Sequence, residues 1–111
     1  MRNDWERLRD IQEALIQIDK YTNQGKAAFL DNELIQGWVL LHLQRIGEAA
    51  RAMAKTTHQQ YPQIPWQDII DFRNILVHEY FRIDLELVWQ IVETELPLLT
   101  QEINQILQNS D

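Results

Sequence analysis

Arg73, Asn74, His78 and Tyr80 fall within eight positions of a stretch otherwise built largely of Ile, Leu, Val, Phe and Trp. Histidine is the side chain whose ordinary pKa suits proton transfer near neutrality. Arginine presents a planar fork of donors matched to phosphate oxygens. Cleavage of an RNA phosphodiester needs a base for the ribose 2′-hydroxyl, an acid for the leaving oxygen and a cation for the charge that builds on phosphorus. Arg73 and His78 offer those groups, and with both present no metal or cofactor is expected. The three histidines, His42, His58 and His78, lie sixteen or more residues apart and show no ligand pairing. Taken singly, an Arg on an apolar stripe also fits a structural ion pair, and a single His fits a core histidine. It is their concentration that points to chemistry.

These side chains sit on the third of four main helices that the periodicity predicts. The first, about Asp4 to Lys20, carries Trp5, Leu8, Ile11, Leu15 and Ile18 at three- and four-residue steps, one apolar stripe. Asn23-Gln24-Gly25-Lys26 ends it, Gly25 supplying a positive φ. A short connector with Phe29 and Leu30 packed leads to the second helix, about Asp31 to Lys55. That helix is apolar over most of its circumference, so it is central or lies in a subunit interface. Gly37 and Gly47 each cost it helix propensity, and close helix–helix approach is the expected reason for both. Tyr61-Pro62-Gln63-Ile64-Pro65 is the clearest break in the chain.

The third helix is predicted from Trp66 to Tyr80 or Phe81, with Trp66, Ile69, Ile70, Leu76 and Val77 on its buried stripe. Asp84 then caps a last helix, Leu85 to about Leu107, kinked where Pro97 removes a backbone donor. The expectation is therefore all-α: one domain, residues 1–111, folded as an antiparallel four- to five-helix bundle. The four tryptophans are expected as core or interface anchors.

On a straight helix Arg73 and Tyr80, seven apart, share a face within about 20°, whereas Arg73 and His78, five apart, differ by about 140°. One copy of the helix does not aim both groups at one atom. Either the helix loosens at this point, or a two-fold dimer brings two copies together in a shared cleft, and the dimer is preferred. Glu48 and Arg45, on one stripe of the second helix, either face that cleft or pair with each other as a three-residue helical ion pair.

The net charge of −7 is unusual for a nucleic-acid binder, but it is unevenly spread. Residues 1–82 hold 11 acids and all 10 bases, and the remaining six acids lie in an Arg- and Lys-free last quarter. Between Arg45 and Lys55 the chain is locally basic. The charged N-terminus predicts no signal peptide, and no apolar run predicts a membrane span. With no cysteine, disulfide and thiolate chemistry are absent. A cytoplasmic protein is the expectation.

Three blocks in order, Ile46-Gly47-Glu48-Ala49-Ala50, Tyr61-Pro62-Gln63-Ile64-Pro65-Trp66 and Arg73-Asn74-Ile75-Leu76-Val77-His78-Glu79-Tyr80-Phe81, resemble the HepT-like family of HEPN toxins over nearly the whole chain. The resemblance implies a metal-independent endoribonuclease, the toxin of a type VII-like toxin–antitoxin pair, acting on RNA (tRNA is one candidate) at a homodimeric cleft lined by paired Arg-x4-His motifs. By that match Arg73 holds the scissile phosphate, His78 is the acid–base residue and Asn74 orients the phosphate or His78. It further implies an MntA-type nucleotidyltransferase antitoxin that silences the toxin by moving AMP onto Tyr80. The alternative is a non-catalytic helical module that sequesters a nucleotide or partner.

Overall fold

The computed structural model describes residues 3–109 and contains no strand among them. Its helices are α1 (Asp4–Thr22), α2 (Lys26–Asp31), α3 (Glu33–Ala52), α4 (Lys55–Gln60), α5 (Trp66–His78), α6 (Leu85–Gln90) and α7 (Leu96–Asn109). A 3₁₀ turn, Tyr80–Arg82, follows α5, and a π turn, Ile91–Glu95, joins α6 to α7 in one continuous helical run. The all-α bundle expected from periodicity is what forms.

Helix starts follow side-chain chemistry. Asn3 accepts from the Glu6 N–H, Asn32 from the N–H groups of Leu34 and Ile35, and Asp84 from those of Glu86 and Leu87. Each such cap satisfies donors the helix itself cannot, a contribution of about 1 kcal/mol. Gly25, with φ 99°, is the only described residue in the left-handed region and makes the turn from α1 into α2.

The core is assembled around α3, which packs against α1, α2 and α5. Leu8, Ile11, Leu15 and Ile18 of α1 meet Val39, Leu43 and Ile46 of α3, all buried, and Val88, Leu99 and Ile103 close the bundle from the C-terminal side. Burying an aliphatic side chain of this size contributes roughly 1.5–3 kcal/mol. Trp66 and Trp89 are buried, as anchors should be. Trp66 also donates from Nε1 to the Tyr61 carbonyl at 3.0 Å, pinning the proline-rich break to the start of α5. The Asp4 carboxylate ties the start of α1 to α4, accepting from the Ala54 N–H and the Thr57 hydroxyl and pairing with Arg7. Burial alone pushes that carboxyl up; the three donors outweigh it and hold Asp4 below the ordinary aspartate value.

Several expectations are corrected. The connector holding Phe29 is a short helix, α2, and Phe29 is fully buried. The second main helix stops at Ala52, where Met53 turns extended, and the residues beyond it form the separate α4. α5 ends at His78, not at Tyr80 or Phe81, because Glu79 leaves helical geometry at φ −130°, ψ 34°. Val77, expected on the buried stripe, is exposed, and so are Leu34 and Leu41 of α3. Close approach explains Gly47 but not Gly37, beside which a β-carbon would meet nothing within 4 Å. Just before Pro97 the helical run widens into the π turn, in which the Leu96 N–H reaches back to the Ile91 carbonyl.

Candidate active site

α5 packs chiefly on α3 and buries only Trp66 and Leu76, so most of its surface faces outward. Where the two helices meet, the Arg73 stem lies across Gly47, the one α3 position there without a side chain to obstruct it. The guanidinium extends beyond that crossing. Its Nη2 donates to Glu48 Oε1 at 3.2 Å and its Nη1 to Asn74 Oδ1 at 3.1 Å. The Arg73 side chain is 15% exposed while Glu48 is 53% exposed, so the pair joins a sheltered cation to a wetted carboxylate. Arg73 Nε is buried with no hydrogen-bond partner. Two of its three nitrogens are thus held by acceptors and the third is held by packing alone.

Glu48 therefore belongs with Arg73 and Asn74. It pairs with Arg73 rather than with Arg45, which is exposed one turn earlier on α3. His78 is exposed at the last position of α5. Because α5 stays helical through His78, the offset of about 140° between Arg73 and His78 stands within one copy. The placement of Tyr80 on Arg73's face does not stand. Tyr80 lies on the 3₁₀ turn beyond the helix end, half exposed, with its ring edge-on to Phe81 at 5.6 Å. Phe81 itself is 99% exposed.

The other histidines are occupied elsewhere. His58 stacks on Trp66 at 4.7 Å and its Nε2 meets the Ala50 carbonyl at 2.8 Å, which holds α4 against the core. His42 is buried in α3 beneath Trp38, with neither ring nitrogen partnered. Burial, and to a lesser degree Arg45, keep its pKa below the ordinary histidine value, against a smaller opposing pull from Glu13. Among the described residues no three His, Asp or Glu side chains converge as a metal site, and no helix is long and apolar enough to cross a membrane.

Gly47 is the site residue whose part was not recognised from sequence. Its helix-interior position predicts close approach, but not which residue lies across the crossing. The signal was there in its position next to Glu48, within the Ile46–Ala50 block.

The bundle carries Arg73 and His78 along one outward helix, with Tyr80 just past its end. The family model described as Ribonuclease HepT-like matches residues 11–106, and the chain belongs to that family. A Thermococcus cleftensis protein named "Probable ribonuclease HepT" is 30% identical over 100 residues, 89% of this chain and 91% of that one. Two Methanocaldococcus jannaschii proteins, both provisionally named RNases, are each 34% identical. One aligns over 97 residues (86% of this chain, 89% of that protein), the other over 103 (92% and 85%). No solved structure matches significantly.

Proposed function

We propose that this chain is a metal-independent endoribonuclease that works as a homodimer, its cleft lined by Arg73 and His78 of both copies. The observation that carries this is the arrangement on α5: a guanidinium fixed by Glu48 and Asn74, and an exposed imidazole on the same unbroken helix but turned away from it. A second copy related by two-fold symmetry supplies the missing direction. The exposed apolar side chains Leu34, Leu41, Ile75, Val77 and Phe81, on α3, α5 and the turn, supply apolar surface for such an interface.

In the reaction, one His78 takes the proton of the ribose 2′-hydroxyl as O2′ bonds to phosphorus. The P–O5′ bond breaks, and the His78 of the second copy returns a proton to O5′. Arg73 neutralises the charge on the non-bridging oxygens. The products are a 2′,3′-cyclic phosphate and a 5′-hydroxyl. Asn74 and Glu48 keep the guanidinium aimed, and the exposed Arg45 adds positive potential for the RNA backbone.

The chain is further proposed as the toxin of a toxin–antitoxin pair, silenced by a nucleotidyltransferase. The Tyr80 hydroxyl attacks the α-phosphorus of ATP and pyrophosphate leaves, so a nucleotide is held at the mouth of the cleft and RNA is excluded. The half-exposed position of Tyr80 supports this.

The test is cleavage of RNA in EDTA by the purified chain. Cutting with cyclic-phosphate ends is expected, and His78→Ala, still folded by circular dichroism, should lose roughly 10²–10⁴-fold in rate. Undiminished cleavage by His78→Ala refutes the catalytic assignment. RNA binding without any cleavage by the wild-type chain favours a sequestering module instead.

A further inference from the structure

The crossing of α3 and α5 leaves no room for a side chain at residue 47. A β-carbon on Gly47 would stand 2.1 Å from Arg73 Cβ and 2.7 Å from Arg73 Cγ, with the Ile69 carbonyl oxygen at 3.3 Å. Carbon atoms in contact sit about 3.5–4.0 Å apart. The obstacle is no flexible chain end: Arg73 Cβ is one bond from the α5 backbone, so relief would require the two helices to part.

We infer that Gly47 is a positioning residue for Arg73: its bare α-carbon is the seat across which the arginine stem lies, and Glu48, the next residue, is the clasp on the guanidinium. The inference rests on the reading of Arg73 as the phosphate-binding group. The clasp is a single hydrogen bond of 3.2 Å from Nη2. Hydrogen bonds weaken quickly beyond that length, so a separation of a few tenths of an ångström already loosens it. His78 rides on α5 and moves with it. Gly37, on the same helix, has open space around it and plays no such part. Two glycines alike in sequence thus differ in function.

The test compares Gly47→Ala in two backgrounds. In the wild-type chain it should lower Tm by roughly 5–15 °C, the range for forcing one extra carbon into a packed contact. In an Arg73→Gly background the nearest atom becomes the Ile69 carbonyl oxygen at 3.3 Å, a tight contact rather than an overlap, so with the better helix propensity of Ala the same change should lower Tm far less. An equal fall in both backgrounds overturns the inference. Should Gly47→Ala fail to fold, recovery of folding in the double variant supports it. A double variant that stays unfolded, where Arg73→Gly alone folds, overturns it.

The functional half is read from kcat at a temperature where Gly47→Ala is folded. Displacement of the arginine by even 1 Å should cost on the order of 100-fold, while Gly37→Ala keeps the wild-type rate. An unchanged kcat for folded Gly47→Ala means that the glycine serves packing only. A wild-type chain that cuts no RNA refutes the proposed activity instead, and the paired Tm values still decide whether Gly47 seats Arg73.

Discussion

A residue kept for chemistry can be one the fold would be better without, and the buried, unpartnered Nε of Arg73 makes that measurable. Consider Arg73→Met against Glu48→Ala. Methionine keeps an unbranched stem across Gly47 but removes the charge and the unsatisfied donor. An unpaired buried donor costs about 1–3 kcal/mol. Against this stands loss of the Glu48 pair, which is partly wetted because Glu48 is 53% exposed. Exposed pairs contribute about 0.2–1 kcal/mol, and the freed carboxylate simply hydrates. Arg73→Met should therefore be neutral or stabilising by up to about 2 kcal/mol.

Glu48→Ala is the opposite case. It leaves a sheltered guanidinium with one charged partner fewer, and should cost about 1–2 kcal/mol, below the 3–5 of a fully buried pair because the site is half open. With about 4–8 °C per kcal/mol for a small domain, the two Tm shifts should differ in sign or by at least about 4 °C. Thermal unfolding is to be followed by circular dichroism at one fixed protein concentration, since the proposed dimerisation would make Tm concentration-dependent. Both variants should lose cleavage. If Arg73→Met is destabilised as much as Glu48→Ala, or more, Arg73 is a structural ion-pair residue and its functional assignment falls.

Gly37→Ala should raise stability by roughly 0.5–1 kcal/mol, because the site has room and Ala is the better helix former; a loss in urea unfolding would contradict the open space seen there. The buried His42 should make the fold acid-sensitive. Its folded pKa is depressed, so its contribution is complete above the unfolded value near 6.5 and is lost as pH falls below it toward the folded value. His42→Phe, with no nitrogens to charge, should flatten the dependence of Tm below about pH 6.5, and an unaltered slope would assign that dependence to other groups.

What was legible in the sequence was whatever is decided locally. The cap at Asp84, the break before Trp66 and the glycine turn after α1 depend on a few neighbouring residues, and so does the stripe from Val88 to Ile106. The end of α5 was not legible. Nothing in Glu79-Tyr80-Phe81 breaks a helix by composition, since neither Gly nor Pro is present; the chain turns there because the following helix must start at Asp84 and pack back on the core. The pairing of Glu48 with Arg73 was open for a related reason. Twenty-five positions separate the two, and only the crossing of α3 with α5 decides whether Glu48 reaches Arg73 or stays with Arg45.

The 3₁₀ turn Tyr80–Arg82 buries none of its side chains. It lies outside α5 yet begins two residues after His78, so it can be altered without disturbing the packing that holds the bundle together. A bulky adduct on Tyr80 would therefore leave the melting behaviour of the chain almost untouched while closing the proposed cleft. If the proposed modification occurs, such a molecule would be stored rather than destroyed, since removal of the adduct would return folded protein with no refolding step and no new synthesis.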